Sequence, residues 1–376
     1  MKRDISYTEQ SMLLTCQAQW DFNYGGYLAG TALRSKETPI ILREGRAWGR
    51  AVAAFHAAKE DRLDAAIVVL AEALEEDATE QREAGFYDAD AHRATVAKLR
   101  GILEQYAAET VPIAIDRLEH ELFVPLPSRT GPGDSNRYRL QVLFDGIHTD
   151  AQGRIWLVEF KLRGELSALE LIANSRQIRY YAWAWQRETG QPVTGVIVDE
   201  RLNAMPKPAR WVKPKKKDEG IEVSFEEATA LGAPPSEKEE VANGGPEGTF
   251  TVRRTVSHAK DQLTTPEQYV EACKRADVEP EPEALEQISA RHWSHREPVF
   301  LTPTEIEESG KELVSLGRQI AQIDAGQIYP VRNVKPQNCR GCRFKDVCNE
   351  PQDTELVDAL FDRVPAKRNR EELSPA

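Results

Sequence analysis

Long apolar runs are missing from this 376-residue chain. No stretch approaches the roughly 18 to 20 apolar residues that a membrane-spanning helix requires. No secretory signal precedes the first motif either, so the sequence predicts a cytoplasmic protein without a membrane partner. Cysteine is scarce, five residues in all, and three of them crowd near the C-terminus. That distribution excludes a disulfide framework and points to metal binding in a reducing compartment. An excess of positive charge is also absent: 49 Lys and Arg stand against 61 Asp and Glu, a net charge of −12. A protein coated in nucleic acid is thereby excluded. A local basic groove is not, because the distribution of charge decides that. No internal repeat is found, and the length leaves ample material for a sizeable core in two or three structural units.

What is present is organised around residues 138–162, YRLQVLFDGIHTDAQGRIWLVEFKL. Alternating apolar positions broken at Asp150–Gly153 predict two β-strands joined by a turn. On the second strand Ile155, Leu157, Glu159 and Lys161 share one face, and Trp156, Val158, Phe160 and Leu162 the other. Both faces are largely apolar, which predicts a buried central strand. A carboxylate and an ammonium are costly to desolvate there unless they are paired or used. Asp145, ending the first strand, adds a second carboxylate. One reading is a buried ion pair. The other is a hydrolytic metal site, with Asp145 and Glu159 as oxygen ligands of Mg2+ or Mn2+ and Lys161 orienting the attacking water. The pattern D-x13-E-x-K resembles that of the PD-(D/E)xK nuclease superfamily.

The remainder of the chain supplies context. A helix is predicted over 8–20, with Cys16 either a small core residue or a ligand. Alanine, glutamate, leucine and arginine dominate residues 43–107, which predicts helices over 45–59, 61–76 and 89–107. His56 falls in the first, as a satisfied histidine or as a metal ligand. A strand within 111–127 carries Glu119 and Glu121, either solvated or near the metal. Ser167 and Glu170 form a capping-box pattern, and Gly190 is the matching C-terminal stop. Gln177 and Tyr181, four residues apart, lie on one helix face. They either touch the scissile phosphate or a neighbouring nucleotide, or belong to a helix packed through Tyr180, Tyr181 and Trp185 with Gln177 solvated. Residues 195–200 read as a further strand. Strand, helix and strand predict a right-handed crossover whose helix covers the sheet beside the Glu–Lys strand. Residues 205–217, MPKPARWVKPKKK, read either as a surface loop or as a basic arm. In the latter, Lys213, Lys215, Lys216 and Lys217 contact phosphates and Trp211 stacks on a base. A strand at 250–256 is expected to return to the sheet, followed by helices at 265–275 and 303–325. Near the C-terminus, CRGCRFKDVC places Cys339, Cys342 and Cys348 in a C-x2-C-x5-C spacing suited to a soft metal centre. Its fourth ligand is Cys16 or Cys273.

In this order the motifs resemble the RecB-like PD-(D/E)xK exonucleases that carry an iron–sulfur cluster. That group includes the CRISPR adaptation nuclease and the AddB helicase-nuclease subunit, and phage-encoded relatives are common in it. The resemblance runs from Ser11-Met-Leu-Leu-Thr-Cys16 through Asp145, Glu159-Phe-Lys161 and Gln177-x3-Tyr181 to the final cysteines. It implies an α/β fold: a restriction-endonuclease-like mixed sheet wrapped by N- and C-terminal helices. It divides the chain into a helical region (1–110), a nuclease core (111–204), an insertion with a returning strand (205–260) and a C-terminal cluster region (261–376). It implies a [4Fe–4S] cluster on Cys16, Cys339, Cys342 and Cys348, with Cys273 a free thiol. The family's G-x3-H histidine is displaced here, leaving His56 as the candidate. The implied activity is metal-dependent cleavage of DNA, on single-stranded ends, with a second copy or a recombination or helicase protein as possible partner. Two other readings stand beside it: a non-catalytic DNA-binding or assembly subunit of the same fold, and a zinc-stabilised interaction protein.

Overall fold

A computed structural model describes residues 2–25, 31–128, 133–213, 220–259, 263–351 and 353–367. Its described strands are β1 (Arg3–Ser6), β2 (Thr31–Ser35), β3 (Arg117–Pro127), β4 (Asp134–Thr149), β5 (Ile155–Arg163), β6 (Val193–Leu202), β7 (Ile221–Ser224), β8 (Thr249–Val252), β9 (Ser294–Phe300) and β10 (Phe361–Pro365). The central sheet runs β1-β4-β5-β6-β9, with β3 also paired to β4. It is mixed: β1 lies parallel to β4, whereas β3 and β5 are antiparallel to β4 and β9 is antiparallel to β6. The 138–162 stretch thus supplies two interior strands. The turn between them is held by Asp150, whose carboxylate accepts from the backbone N–H groups of Gln152 and Arg154, with Gly153 at φ 75°. Aspartate and glycine suit such a turn for these two reasons.

One side of the sheet is covered by helices Arg176–Thr189 and Pro303–Asp324, which pack on each other and on β3. The second starts sharply because Thr302 and Glu305 complete a capping box and Pro303 sits in the first turn. Gly310 lets the two helices close, since a Cβ there would run into the Trp183 indole. Trp183, Leu313 and Ile320 join Leu140, Val142 and Phe144 in one core, and each such side chain contributes about 1.5–3 kcal/mol when fully buried. Helices Ile40–Ala57, Arg62–Ala84 and Ala89–Glu109 pack together, the first also against β5, close to the expected 45–59, 61–76 and 89–107. The fold is therefore mixed α/β, with a central mixed sheet and flanking helices.

The segments near both ends of the chain are joined. β2 and β10 form an antiparallel pair, and Phe22, Leu33, Phe344, Val347, Val357 and Phe361 make a small apolar cluster beside them. The chain divides into two compact units, Met1–Arg201 with Ser294–Ala376, and Leu202–Trp293. The strand expected to return from 250–256 does not reach the central sheet: β8 pairs with β7 inside the second unit. β9 takes the place beside β6 instead. Its sequence, SHREPVF, was easy to miss because only one of its seven residues is buried. The Ser167–Glu170 capping box does not form either. The expected helix is two pieces, Leu169–Ala173 and Arg176–Thr189, the former capped at Ala168 without a side-chain bond. Among the described residues no helix is long and apolar enough to cross a membrane.

Candidate active site

Asp145 on β4 and Glu159 and Lys161 on β5 come together where the two strands part. The Asp145 carboxylate accepts from the Phe160 backbone N–H at 2.7 Å. Glu159, 5 % exposed, pairs with the Lys161 ammonium and accepts from Gln177 Nε2 at 2.7 Å. Burial and the adjacent Glu159 charge push the Asp145 carboxyl up to about 8, against the pull of Lys161. Burial also opposes the Lys161 charge, but Glu159 and Asp145 outweigh it and the ammonium is held above its ordinary range. Two ionised carboxylates on one cation would leave an excess of negative charge, which is why the buried Asp145 carboxyl favours its proton unless a metal ion offsets that charge. Their hard oxygen donors suit a divalent cation that would relieve the excess.

Gln177 and Tyr181 do share the inner face of their helix. Tyr181 packs edge-on against Phe144 at 5.3 Å and hydrogen-bonds Gln177; burial, then the Glu159 charge, raise its hydroxyl well above the usual phenol range. Glu119 lies near enough for Asp145 to feel its charge, and its φ is +45°. Glu121 is instead an exposed partner of Gln141.

A match of residues 4–349 to the PD-(D/E)XK nuclease superfamily agrees with this arrangement. The chain belongs to that superfamily. No curated protein matches it. Membership accords with the mixed sheet and flanking helices and makes the protein a nuclease with DNA as its implied substrate; Mg2+ or Mn2+ are the ions typical of the superfamily.

His56 is not brought to these carboxylates. Its ring stacks on Phe160 (5.1 Å, 11°), whose side chain leaves the strand on the face opposite Glu159 and Lys161. Both ring nitrogens are engaged: Nδ1 accepts from the Ile113 N–H at 3.0 Å, and Nε2 donates to the Tyr106 hydroxyl at 2.9 Å. Tyr106 in turn donates to Asp199, which Arg296 also binds. Burial, aided by Arg296 and Arg62, pushes the imidazole down to about 3, so it stays neutral. With both nitrogens committed, His56 has none to offer a metal ion as placed; it ties the helical layer to β6 and β9.

Cys16, Cys339 and Cys348 lie within electrostatic reach of Cys342. The chain breaks from helix at Cys16, between Tyr7–Thr15 and Gln17–Trp20, and Cys16 Sγ accepts from the Asn333 N–H at 3.4 Å. Burial raises the Cys342 thiol, and Cys16, Cys348 and Cys339 are near enough to add to the effect. Cys273 is buried in the other unit beside Tyr269. Among the described residues, no group of three or more His, Cys, Asp and Glu side chains is arranged to hold a metal ion. Of the basic arm, Lys213 pairs with Glu239 at 2.8 Å and Trp211 is partly buried against two small apolar clusters. Lys215, Lys216 and Lys217 lie outside the described residues.

Sequence reasoning missed Arg163, Ser167 and Glu200, which line a cleft together with Glu159, Lys161 and Gln177. Arg163 was legible, since period 2 puts it on the face of Glu159 and Lys161. Glu200 carried no signal beyond being a carboxylate at the end of an apolar strand.

Proposed function

We propose that this nuclease is a metal-dependent DNA exonuclease acting on single-stranded ends, in recombination, repair or phage DNA metabolism. The observation that carries the reading is the Lys161–Glu159 ion pair set beside Asp145, with Gln177 locking the glutamate. Asp145 and Glu159 would hold Mg2+ or Mn2+, which when bound acidifies the attacking water and offsets charge on the phosphate. Because its neighbours favour the ammonium, Lys161 acts as a donor and not as a base: it orients the water and stabilises the phosphate oxygens as their charge grows. Gln177 fixes the Glu159 carboxylate, and Tyr181 buttresses Gln177.

Cys16, Cys339, Cys342 and Cys348 are proposed as ligands of a structural [4Fe–4S] cluster. Support comes from four thiols drawn from near both chain ends into one neighbourhood, the soft-donor set such a cluster takes. A broad visible absorption band distinguishes that cluster from zinc. The nuclease reading is tested by a time course on end-labelled single- and double-stranded DNA, with Mg2+, Mn2+ or chelator. Progressive shortening of single strands that stops with chelator is expected. Binding without any cleavage would instead favour a DNA-binding subunit.

A further inference from the structure

The cleft beside the catalytic strand continues past Lys161 to a second charged group that the hydrolytic residues do not touch. Glu200 is fully buried, at 0 % exposure. Four donors meet it: Arg163 Nε at 3.1 Å, the Ser167 backbone N–H at 2.8 Å, the Ser167 hydroxyl at 2.9 Å and His295 Nε2 at 3.1 Å. A carboxylate taken out of water is tolerated only when its lone pairs are satisfied in this way. Such an arrangement contributes little stability over an apolar replacement, so its role lies in what it fixes. It fixes one edge of the Arg163 guanidinium and the start of the loop that walls the cleft.

Arg163 commits only Nε to Glu200; among the described residues its two Nη groups make no hydrogen bond, and its side chain is 44 % exposed. Strand period places it on the face of Lys161, roughly 7 Å further along. The opposite wall is the start of helix Arg176–Thr189, where Ser175, Gln177 and Ile178 line the cleft and the N-cap Ser175 makes no capping bond. A helix start and an oriented guanidinium both favour an anion. Of the two carboxylates in the wall, Glu200 is saturated by its donors and Glu159 is engaged by Lys161 and Gln177.

We propose that Arg163 binds a phosphate of the DNA strand next to the scissile one, and that Glu200 is the positioning residue that aims it. This rests on the nuclease reading above. The test uses the full chain and single-stranded oligonucleotides in which one phosphate at a time is replaced by an uncharged methylphosphonate. Arg163→Ala is expected to raise KM about tenfold or more, as for a lost charge-assisted hydrogen bond, with kcat little changed. Arg163→Lys restores part of the loss, because a point charge remains without the fork. Glu200→Gln shifts KM in the same direction, and the Arg163→Ala series carries the test alone if that variant does not fold. One flanking methylphosphonate is expected to weaken the wild type by the same factor and to add nothing to Arg163→Ala. Losses that simply add at every position overturn the proposal. Anisotropy of the same oligonucleotides in chelator reads the phosphate interaction without cleavage. An inactive wild type that still binds more tightly than Arg163→Ala overturns the nuclease reading and keeps the Arg163–phosphate interaction, whereas equal affinities overturn that interaction.

Discussion

Glu159 receives an ammonium from its own strand and an amide from the neighbouring helix, so its orientation is set from two directions. Lys161 is more replaceable than Glu159 for folding, since its side chain is 27 % exposed and its loss leaves the Gln177 bond in place. Lys161→Ala is expected to lower kcat by at least about 10²–10³, the usual consequence of removing one donor to developing charge. With Mg2+ present to offset the two carboxylates, its circular dichroism and melting temperature should stay close to wild type. Near-normal cleavage with Mg2+ would show that the ion pair is structural.

At the scale of elements, the helix Ile40–Ala57 is joined to β6 and β9 by the chain His56–Tyr106–Asp199–Arg296. The buried imidazole, held down to about 3, gives this joint a pH dependence of known sign. Above pH ~6.5 the histidine is neutral folded or unfolded. Below it the unfolded chain takes up a proton that the folded chain refuses, so stability falls as pH drops towards 3, by up to about 1.4 kcal/mol per pH unit. His56→Gln is expected to cost about 1–3 kcal/mol at neutral pH through its hydrogen bonds and to remove that one-proton slope. Urea midpoints from pH 5 to 8 report both; an unchanged slope in the variant would place the titration elsewhere.

For the whole molecule, the proposed cluster links Cys16 to cysteines more than 300 residues away. Loop-closure entropy grows only logarithmically with length, so ligand bonds can offset it, and metal binding then becomes part of folding. Cys16→Ser and Cys342→Ser should both lose iron and sulfide and lower the melting temperature, while Cys273→Ser does neither. Full iron content in Cys16→Ser, with loss in Cys273→Ser, would reassign the fourth ligand. The basic arm gives a separate expectation. Neutralising Lys213, Lys215, Lys216 and Lys217 together should flatten the salt dependence of single-strand binding, by roughly 0.7 in log–log slope for each phosphate that is no longer neutralised. An unchanged slope would leave the segment a solvated loop.

Local pattern by itself determined the paired strands β4 and β5, the helices at 40–109 and the Gly190 stop, because strand alternation, helix propensity and glycine's left-handed φ act within a few residues. It also pointed to Asp145, Glu159 and Lys161 as chemistry, since charge in an apolar strand demands a partner, whereas Gln177 and Tyr181 were singled out by their shared helix face and by the family resemblance. Only the tertiary structure decided which partners were taken. Ser167 has the sequence of a helix cap, yet its hydroxyl bonds Glu200, a residue 33 positions away. Strand 249–252 carries a good β pattern, yet its backbone pairs within 202–293, and the largely unburied β9 completes the central sheet. His56 has the residue type of a ligand, yet Ile113 and Tyr106 occupy its nitrogens. In each case a hydrogen-bonding group had several local options, and the partner was chosen by long-range packing, which no local pattern encodes.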